Sequence, residues 1–229
     1  MKYYKLITSL NIKDLGVYPQ STTPKMYWET IDLLNLDGTI KEDYKLPHII
    51  LEPKAKYSTF MNSVTIGMKS FLTFKNHFLD SLKEFNISEF KIWDLEMTHN
   101  NKIVTDYCLF RLVNSIENEV LDFKKSNFCV GKPFIKEDRE KIDINSYNEY
   151  VNISFLLRKE NTGKWIIPEK LVFDFSNIKQ DMIRISNIYL FSNGYFVSEK
   201  FKSRYEESRY TGIEFKEIET IDKSIEVKY

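Results

Sequence analysis

The sequence predicts an α+β fold, mainly antiparallel sheet with a few helices. Three observations lead there. Phe and Tyr number 17 and 14, whereas alanine occurs once, at Ala55; aromatic and β-branched side chains suit a pleated surface better than a helix. Short apolar or alternating runs recur along the chain, bounded by turn residues. Helical periodicity, by contrast, stands out in two segments, residues 75–85 and 198–209.

The elements follow in order. Tyr3 to Thr8 and Met26 to Leu34 read as strands, and Asp37-Gly38 as a turn. His48 to Leu51 is a short apolar strand bounded by Pro47 and Pro53. These first sixty residues look irregular, as a layer laid on the sheet would. Phe78, Leu82 and Phe85 lie at i, i+4 and i+7, one face of a helix over 75–85. Phe90 to Leu95 reads as a half-buried strand. His99-Asn100-Asn101 suits a tight turn, and Ile103 to Val113 pairs back after it.

Val151 to Leu157 reads as a strand, and Asn161-Thr162-Gly163 as a hairpin turn. Trp165-Ile166-Ile167 and Leu171-Val172-Phe173 flank Pro168. Ser192-Asn193-Gly194 is a turn before a strand at Tyr195-Phe196-Val197. Ser198 stands where its hydroxyl can cap a helix, and Glu199 suits the positive end of the helix dipole. Phe201 and Tyr205 share a face of that helix. Gly212 fits a positive φ or a close backbone contact. Ile213, Phe215 and Ile218 give the apolar side of a closing strand.

Residues 72–96 fall on 195–219 when shifted by 123 positions, with no gap. Leu72 meets Tyr195, Phe74 meets Val197, Phe78 meets Phe201, Leu82 meets Tyr205, Phe90 meets Ile213 and Leu95 meets Ile218. Glu84/Glu207 and Glu96/Glu219 are identical. The spacing predicts a strand-helix-strand pseudo-repeat, although patterning alone also produces such matches. Lys75 and Glu89 stand where the second segment has Ser198 and Gly212. The chain reads as one α+β domain, 1–229. The sequence leaves open whether its halves, about 1–125 and 126–229, form one core or two lobes.

The 33 basic residues balance the 33 acidic ones, for a net charge of zero. A nucleic-acid binder or a polybasic membrane-surface protein would need a basic field, so neither partner is expected. No run of about 18 apolar residues occurs, and no signal-peptide stretch follows Met1, so the expected place is a cytoplasm. Cys108 and Cys129 sit in apolar stretches, and two cysteines make no disulfide framework for a chain this long. Reduced, buried thiols are expected.

Chemistry-bearing patterns are sparse. His48, His77 and His99 lie far from one another and from either cysteine, so no metal-ligand spacing exists. Nucleophile elbows and phosphate loops are absent, and seven glycines leave little room for the latter. Glu117/Glu119, Asp138/Glu140 and Glu206/Glu207 lie in charged stretches that read as solvated. Tyr27, Trp28, Trp93 and Trp165 sit in strand-like segments, where core packing is the default and a partner surface the alternative. No catalytic, metal or cofactor residues are expected, and no partner-binding residues are singled out. The chain is expected to act by presenting a surface.

Two C-terminal runs carry a resemblance. Tyr195-Phe196-Val197-Ser198-Glu199-Lys200-Phe201-Lys202, followed by Tyr210-Thr211-Gly212-Ile213-Glu214-Phe215-Lys216-Glu217-Ile218, resembles the closing segment of a bacterial family of immunity proteins in polymorphic toxin systems. Phe74 to Trp93 is similar to their weaker internal segment. The close match covers residues 195–218, and a looser one runs from residue 70 onward. Each part of the motif also has a folding explanation, so it speaks for shared fold more than for shared role.

The resemblance implies an immunity protein that binds a cognate toxin domain in the cytoplasm and neutralises it without catalysis or cofactor. Its interface would bury on the order of 800 Å² per partner around a few aromatic anchors. Immunity proteins against nucleases are often strongly acidic, and the zero net charge here departs from that pattern. Two other readings stay open from sequence. One is a scaffold of another bacterial or phage system. The other is an enzyme whose site gathers scattered residues such as His48, His77 or His99 with carboxylates.

Overall fold

The computed structural model describes residues 1–21, 48–61, 71–161, 163–186, 188 and 194–229. The expected strand Met26–Leu34, the turn Asp37-Gly38, and Tyr27 and Trp28 lie outside the described residues, as do Ser192 and Asn193.

The described elements are β1 (Tyr3–Thr8), α1 (Ile12–Leu15), β2 (Ile49–Ile50), β3 (Leu72–Lys75), α2 (Phe78–Leu82), β4 (Phe90–His99), β5 (Lys102–Leu112) and α3 (Glu117–Val120). After these come β6 (Asn127–Gly131), β7 (Glu140–Ile142), α4 (Tyr147–Lys159), β8 (Trp165–Asp174) and β9 (Met182–Ile185). The chain closes with β10 (Gly194–Ser198), α5 (Glu199–Glu207), β11 (Ile213–Glu217), a 3-10 turn at Ile218–Thr220 and β12 (Ile225–Lys228). This is an α+β fold dominated by sheet.

Among the described residues three four-stranded sheets carry the architecture, in the orders β11-β1-β10-β9, β12-β8-β6-β7 and β2-β4-β5-β3. The parallel strand pairs described are β12 with β8 and β2 with β4, beside an isolated parallel bridge between Ile87 and Met182. The remaining ladders are antiparallel, as the sequence predicts.

The shifted segments do take the same form. β3, α2 and the start of β4 correspond to β10, α5 and β11. In both units the two flanking strands embrace a third, antiparallel to each: β5 in the first, β1 in the second. The registers agree residue by residue. Cys108 faces Phe74 and Asp94, and Tyr4 faces Val197 and Glu217, which are the same positions moved by 123. Leu112 faces Phe90 as Thr8 faces Ile213. The middle strand follows the first unit but precedes the second by most of the chain.

β1 is therefore an inner strand rather than part of a layer laid on the sheet. Tyr3, Tyr4 and Leu6 are buried, which a covering segment would not require.

The two units pack helix to helix over one apolar cluster. It contains Phe60, Phe74, Phe78, Leu82, Phe85, Phe110, Tyr195, Val197, Phe201 and Tyr205. Phe201 lies 4.9 Å from Phe85 and 6.0 Å from Phe78, ring centre to ring centre. Such aromatic contacts add a few tenths to about 1.5 kcal/mol each beyond burial alone.

Polar bonds stitch the same seam. Ser81 Oγ and Tyr210 OH stand 2.6 Å apart. Asp181, buried beside the seam, accepts from Asn86 N–H (2.9 Å) and from Ser198 Oγ–H (2.6 Å). The turn after α2 is thereby tied to the start of α5.

Helix lengths differ from expectation for stated reasons. Ser198 Oγ accepts from Phe201 N–H (3.2 Å), and α5 runs nine residues behind that cap. The first unit has Lys75 in place of the serine, and no side chain caps α2. Lys75 continues β3, and Asn76 N–H donates to Asp106 O, so helix begins only at Phe78. The expected helix over 75–85 shrinks to five residues.

Val151 to Leu157 is helix, not strand. Ser146 caps α4 by accepting from Glu149 N–H (3.2 Å), and Glu149 in turn accepts from Asn145 N–H (2.8 Å). This is a variant of the capping box. The alternation of Val151, Ile153 and Phe155 coexists with a helical stripe of Tyr150, Ile153 and Leu157, and the capped start decides between them.

The hairpin turn expected at Asn161-Thr162-Gly163 falls between a helix and a strand rather than between two strands; Asn161 and Gly163 have φ 50° and 67°, and Thr162 lies outside the described residues. Trp165–Asp174 is continuous through Pro168, because β12 covers only Leu171–Asp174 and no ladder bond is lost on that side.

Candidate interaction surface

Helix α4 presents two faces. Tyr150, Ile153 and Leu157 point inward, where Tyr150 meets Phe123 and Phe128 at 6.1 and 5.9 Å. On the other side Val151 and Phe155, one turn apart, are exposed, and Leu156 beside them is half exposed. Phe155 keeps 63% of its surface in water. Single exposed apolar residues are ordinary, but a helix apolar on both sides has a second face to bury.

The sheet that α4 packs against carries further exposed apolar groups. Trp165 opens β8 six residues after the helix ends and is 51% exposed. It pairs with Gly131, from which the β6–β7 loop leaves carrying Phe134 and Ile135. Lys132, Lys136, Arg158 and Lys159 are exposed among these groups, and Lys164 stands 3.8 Å from Glu140. The arrangement is aromatic and aliphatic side chains set among cations and a few carboxylates.

The histidines do not converge. His48 Nε2 lies 2.8 Å from Thr98 Oγ1, and buried His99 bonds Tyr57 OH (2.8 Å) and Pro53 O (3.3 Å). His77 lies by the Tyr210 ring. Among the described residues no group of three His, Cys, Asp or Glu side chains is placed to hold a metal ion.

Of the paired carboxylates, Glu119, Asp138, Glu140, Glu206 and Glu207 are exposed as expected. Glu117 is not: it is buried and accepts from the backbone and hydroxyl of Ser186. Both bonds come from one loop serine and help satisfy the buried carboxylate.

The thiols are poor nucleophiles where they sit. Burial, helped by the charge of Asp94, pushes Cys108 up to about 12, and burial also raises Cys129. Two buried guanidiniums serve the fold. Arg184 donates to Leu112 O and Val113 O (3.2 Å each), which ties β9 to the end of β5. Arg111 lies against the Phe71 ring, and burial with the nearby Arg184 lowers it to about 10.

A cleft of roughly 400 Å³ lies between Phe123, Ser126, Phe128, Lys141, Asp143 and Glu169. Ser126 Oγ there already donates to Asp122 O and accepts from Val172 N–H.

Of the aromatics weighed from sequence, Trp93 is half-buried against Phe71, and Trp165 belongs to the exposed surface. Phe134, Phe155 and Leu156 were not legible as surface groups, since only the orientation of α4 and the β6–β7 loop exposes them. The matched C-terminal motif residues, in contrast, are largely inside: Ser198, Phe201 and Ile218 are at most 1% exposed.

Fold and surface together define a sheet-rich α+β protein with exposed apolar side chains on α4, at the start of β8 and in the β6–β7 loop. No protein-family model matches the chain, and neither does any curated protein.

Proposed function

We propose that the protein is an immunity protein that binds and neutralises a cognate toxin domain without catalysis. The observation that carries the reading is the outward apolar face of α4, where Val151, Phe155 and Leu156 are exposed. Apolar area of this kind is stabilised by leaving water, and fully burying a Phe or Leu side chain is worth about 1.5–3 kcal/mol. Aromatic anchors ringed by charge are the usual composition of an interface centre.

The resemblance of Tyr195–Ile218 to the closing segment of immunity proteins supports the choice of partner. That segment's buried side chains speak for fold, so the binding role is assigned to other elements. The test is co-expression with the toxin domain encoded beside the gene, scoring co-purification and growth rescue. Stable binding with rescue is the expected result. A toxin domain that still kills and does not co-purify would sink the reading.

A further inference from the structure

The loop between β6 and β7 carries the most exposed large apolar side chain of the described residues. Phe134 is 94% exposed, and Ile135 follows it with 41% exposed. The loop is nevertheless ordered by its own bonds. Ile135 N–H donates to Lys132 O (3.2 Å) and Arg139 N–H to Lys136 O (3.3 Å). Arg139 Nη2 donates to Pro133 O (3.1 Å), which clamps one limb to the other. At the base, a Cβ on Gly131 would stand 3.0 Å from Asp138 O, so the limbs are already in close contact there. A ring held out by a braced loop loses little freedom on binding, and that lowers the cost of association.

The charges around the ring are of both signs. Lys132 and Lys136 flank Phe134-Ile135, and Glu137, Asp138 and Glu140 follow, all exposed. An anionic lipid surface would attract the lysines and repel the three carboxylates. A protein cleft has charges of both signs to offer.

We propose that this loop is a docking finger: Phe134 fills an apolar pocket on a protein partner, whose rim places carboxylates against Lys132 and Lys136 and basic groups against Glu137 and Asp138. The proposal deepens the immunity reading and rests on it, with the toxin domain as the partner.

The test is calorimetric titration of the toxin domain encoded beside the gene with the full chain, its Phe134→Ala variant, a Lys132→Glu/Lys136→Glu variant, and Ile103→Ser as a control at another exposed apolar site. Thermal melts check that each variant folds. Phe134→Ala is expected to weaken binding about 30-fold at an unchanged melting temperature, the size of an interface hot spot. The charge-reversed variant is expected to weaken binding about tenfold at low salt and less at high salt. The control should match the wild type.

If the wild type binds and Phe134→Ala binds within about threefold of it, the finger is refuted while the immunity reading stands. If the wild type neither binds the domain nor protects cells from it, both fall together. Sedimentation with phosphatidylserine-containing vesicles that is lost in Phe134→Ala would overturn the protein partner in favour of a membrane.

Discussion

Gly212→Ala probes the joint on which both strand-helix-strand units meet. Gly212 has φ +106°, and an alanine Cβ there would stand 1.8 Å from the Phe60 carbonyl oxygen and 2.7 Å from its carbon. Both are backbone atoms, so no rotamer change relieves the contact. A separation of 3.0 Å or more requires over an ångström of backbone movement. That movement pulls on Phe60 N–H to Thr211 O (2.8 Å), on the reciprocal bonds between Thr59 and Thr211 (3.1 and 3.2 Å), and on Ser9 N–H to Gly212 O (3.1 Å).

The strain of a non-glycine residue at such a φ costs about 1–3 kcal/mol. Weakening two or three of these hydrogen bonds costs roughly 1 kcal/mol each. Displacing the Phe60 ring from Phe74, Phe78 and Tyr205 loosens the core as well. The strain and the weakened bonds together come to about 3–6 kcal/mol, which is at the large end for a single substitution. Gly163→Ala is the matched control, because φ is +67° there and nothing lies within 4 Å of the added carbon; it should cost only about 1–2 kcal/mol. The assay is urea unfolding of both variants, compared at equal slope. A loss for Gly212→Ala no larger than for Gly163→Ala would refute the reasoning.

Other outcomes follow from the same structure. Ser198→Ala removes the α5 cap and a donor to buried Asp181, and should cost about 1–2 kcal/mol in urea unfolding. Phe201→Ala empties the centre of the aromatic seam and should cost about 3–5 kcal/mol. Cys108 is held at about 12 and Tyr3, Tyr107, Tyr195 and Tyr205 are raised, all chiefly by burial.

Unfolded chains lose these protons from about pH 9 for the thiol and about pH 10 for the phenols, before the folded chain does. Stability should therefore be insensitive to these groups below about pH 9 and fall as pH rises above it, by up to about 1.4 kcal/mol per pH unit for each group. Urea midpoints across that range, with phenolate absorbance, check it. Phe155→Ser should leave the unfolding free energy from urea titration within about 0.5 kcal/mol of wild type yet weaken toxin-domain binding.

What the sequence revealed was local chemistry. The cap at Ser198, the special backbone of Gly212 and the turn at Asn100-Asn101 each depend on a residue and its neighbours, and each stands where its sequence places it. The repeat was legible as a shift because both units bury the same strand and helix positions, Leu72/Tyr195, Phe74/Val197, Phe78/Phe201 and Leu82/Tyr205, although Phe90 is exposed where Ile213 is buried. The return of β5 onto β4 was legible as well. The place of β1 in the second unit was not, because β1 precedes that unit by most of the chain.

The strand expected at Val151–Leu157 failed for a definable reason: its alternation also fits a helix, and the Ser146–Glu149 cap upstream is what selects helix. The exposed surface was invisible for a different reason. Phe134, Phe155 and Trp165 look like core residues in composition, and only the packing of α4 and the path of the β6–β7 loop turn them outward. Glu117 shows the converse, a carboxylate in a charged stretch that tertiary contacts bury.

An immunity protein of the kind proposed would cover its toxin domain with the exposed side chains of α4, β8 and the β6–β7 loop. Hydroxyl-radical footprinting of the chain, with and without the toxin domain encoded beside its gene, reads the side chains directly. Protection of Phe134, Phe155, Leu156 and Trp165 in the complex, with Ile103 still reactive, is the predicted result. Unchanged labelling of those four side chains in a complex that forms and protects cells would contradict it.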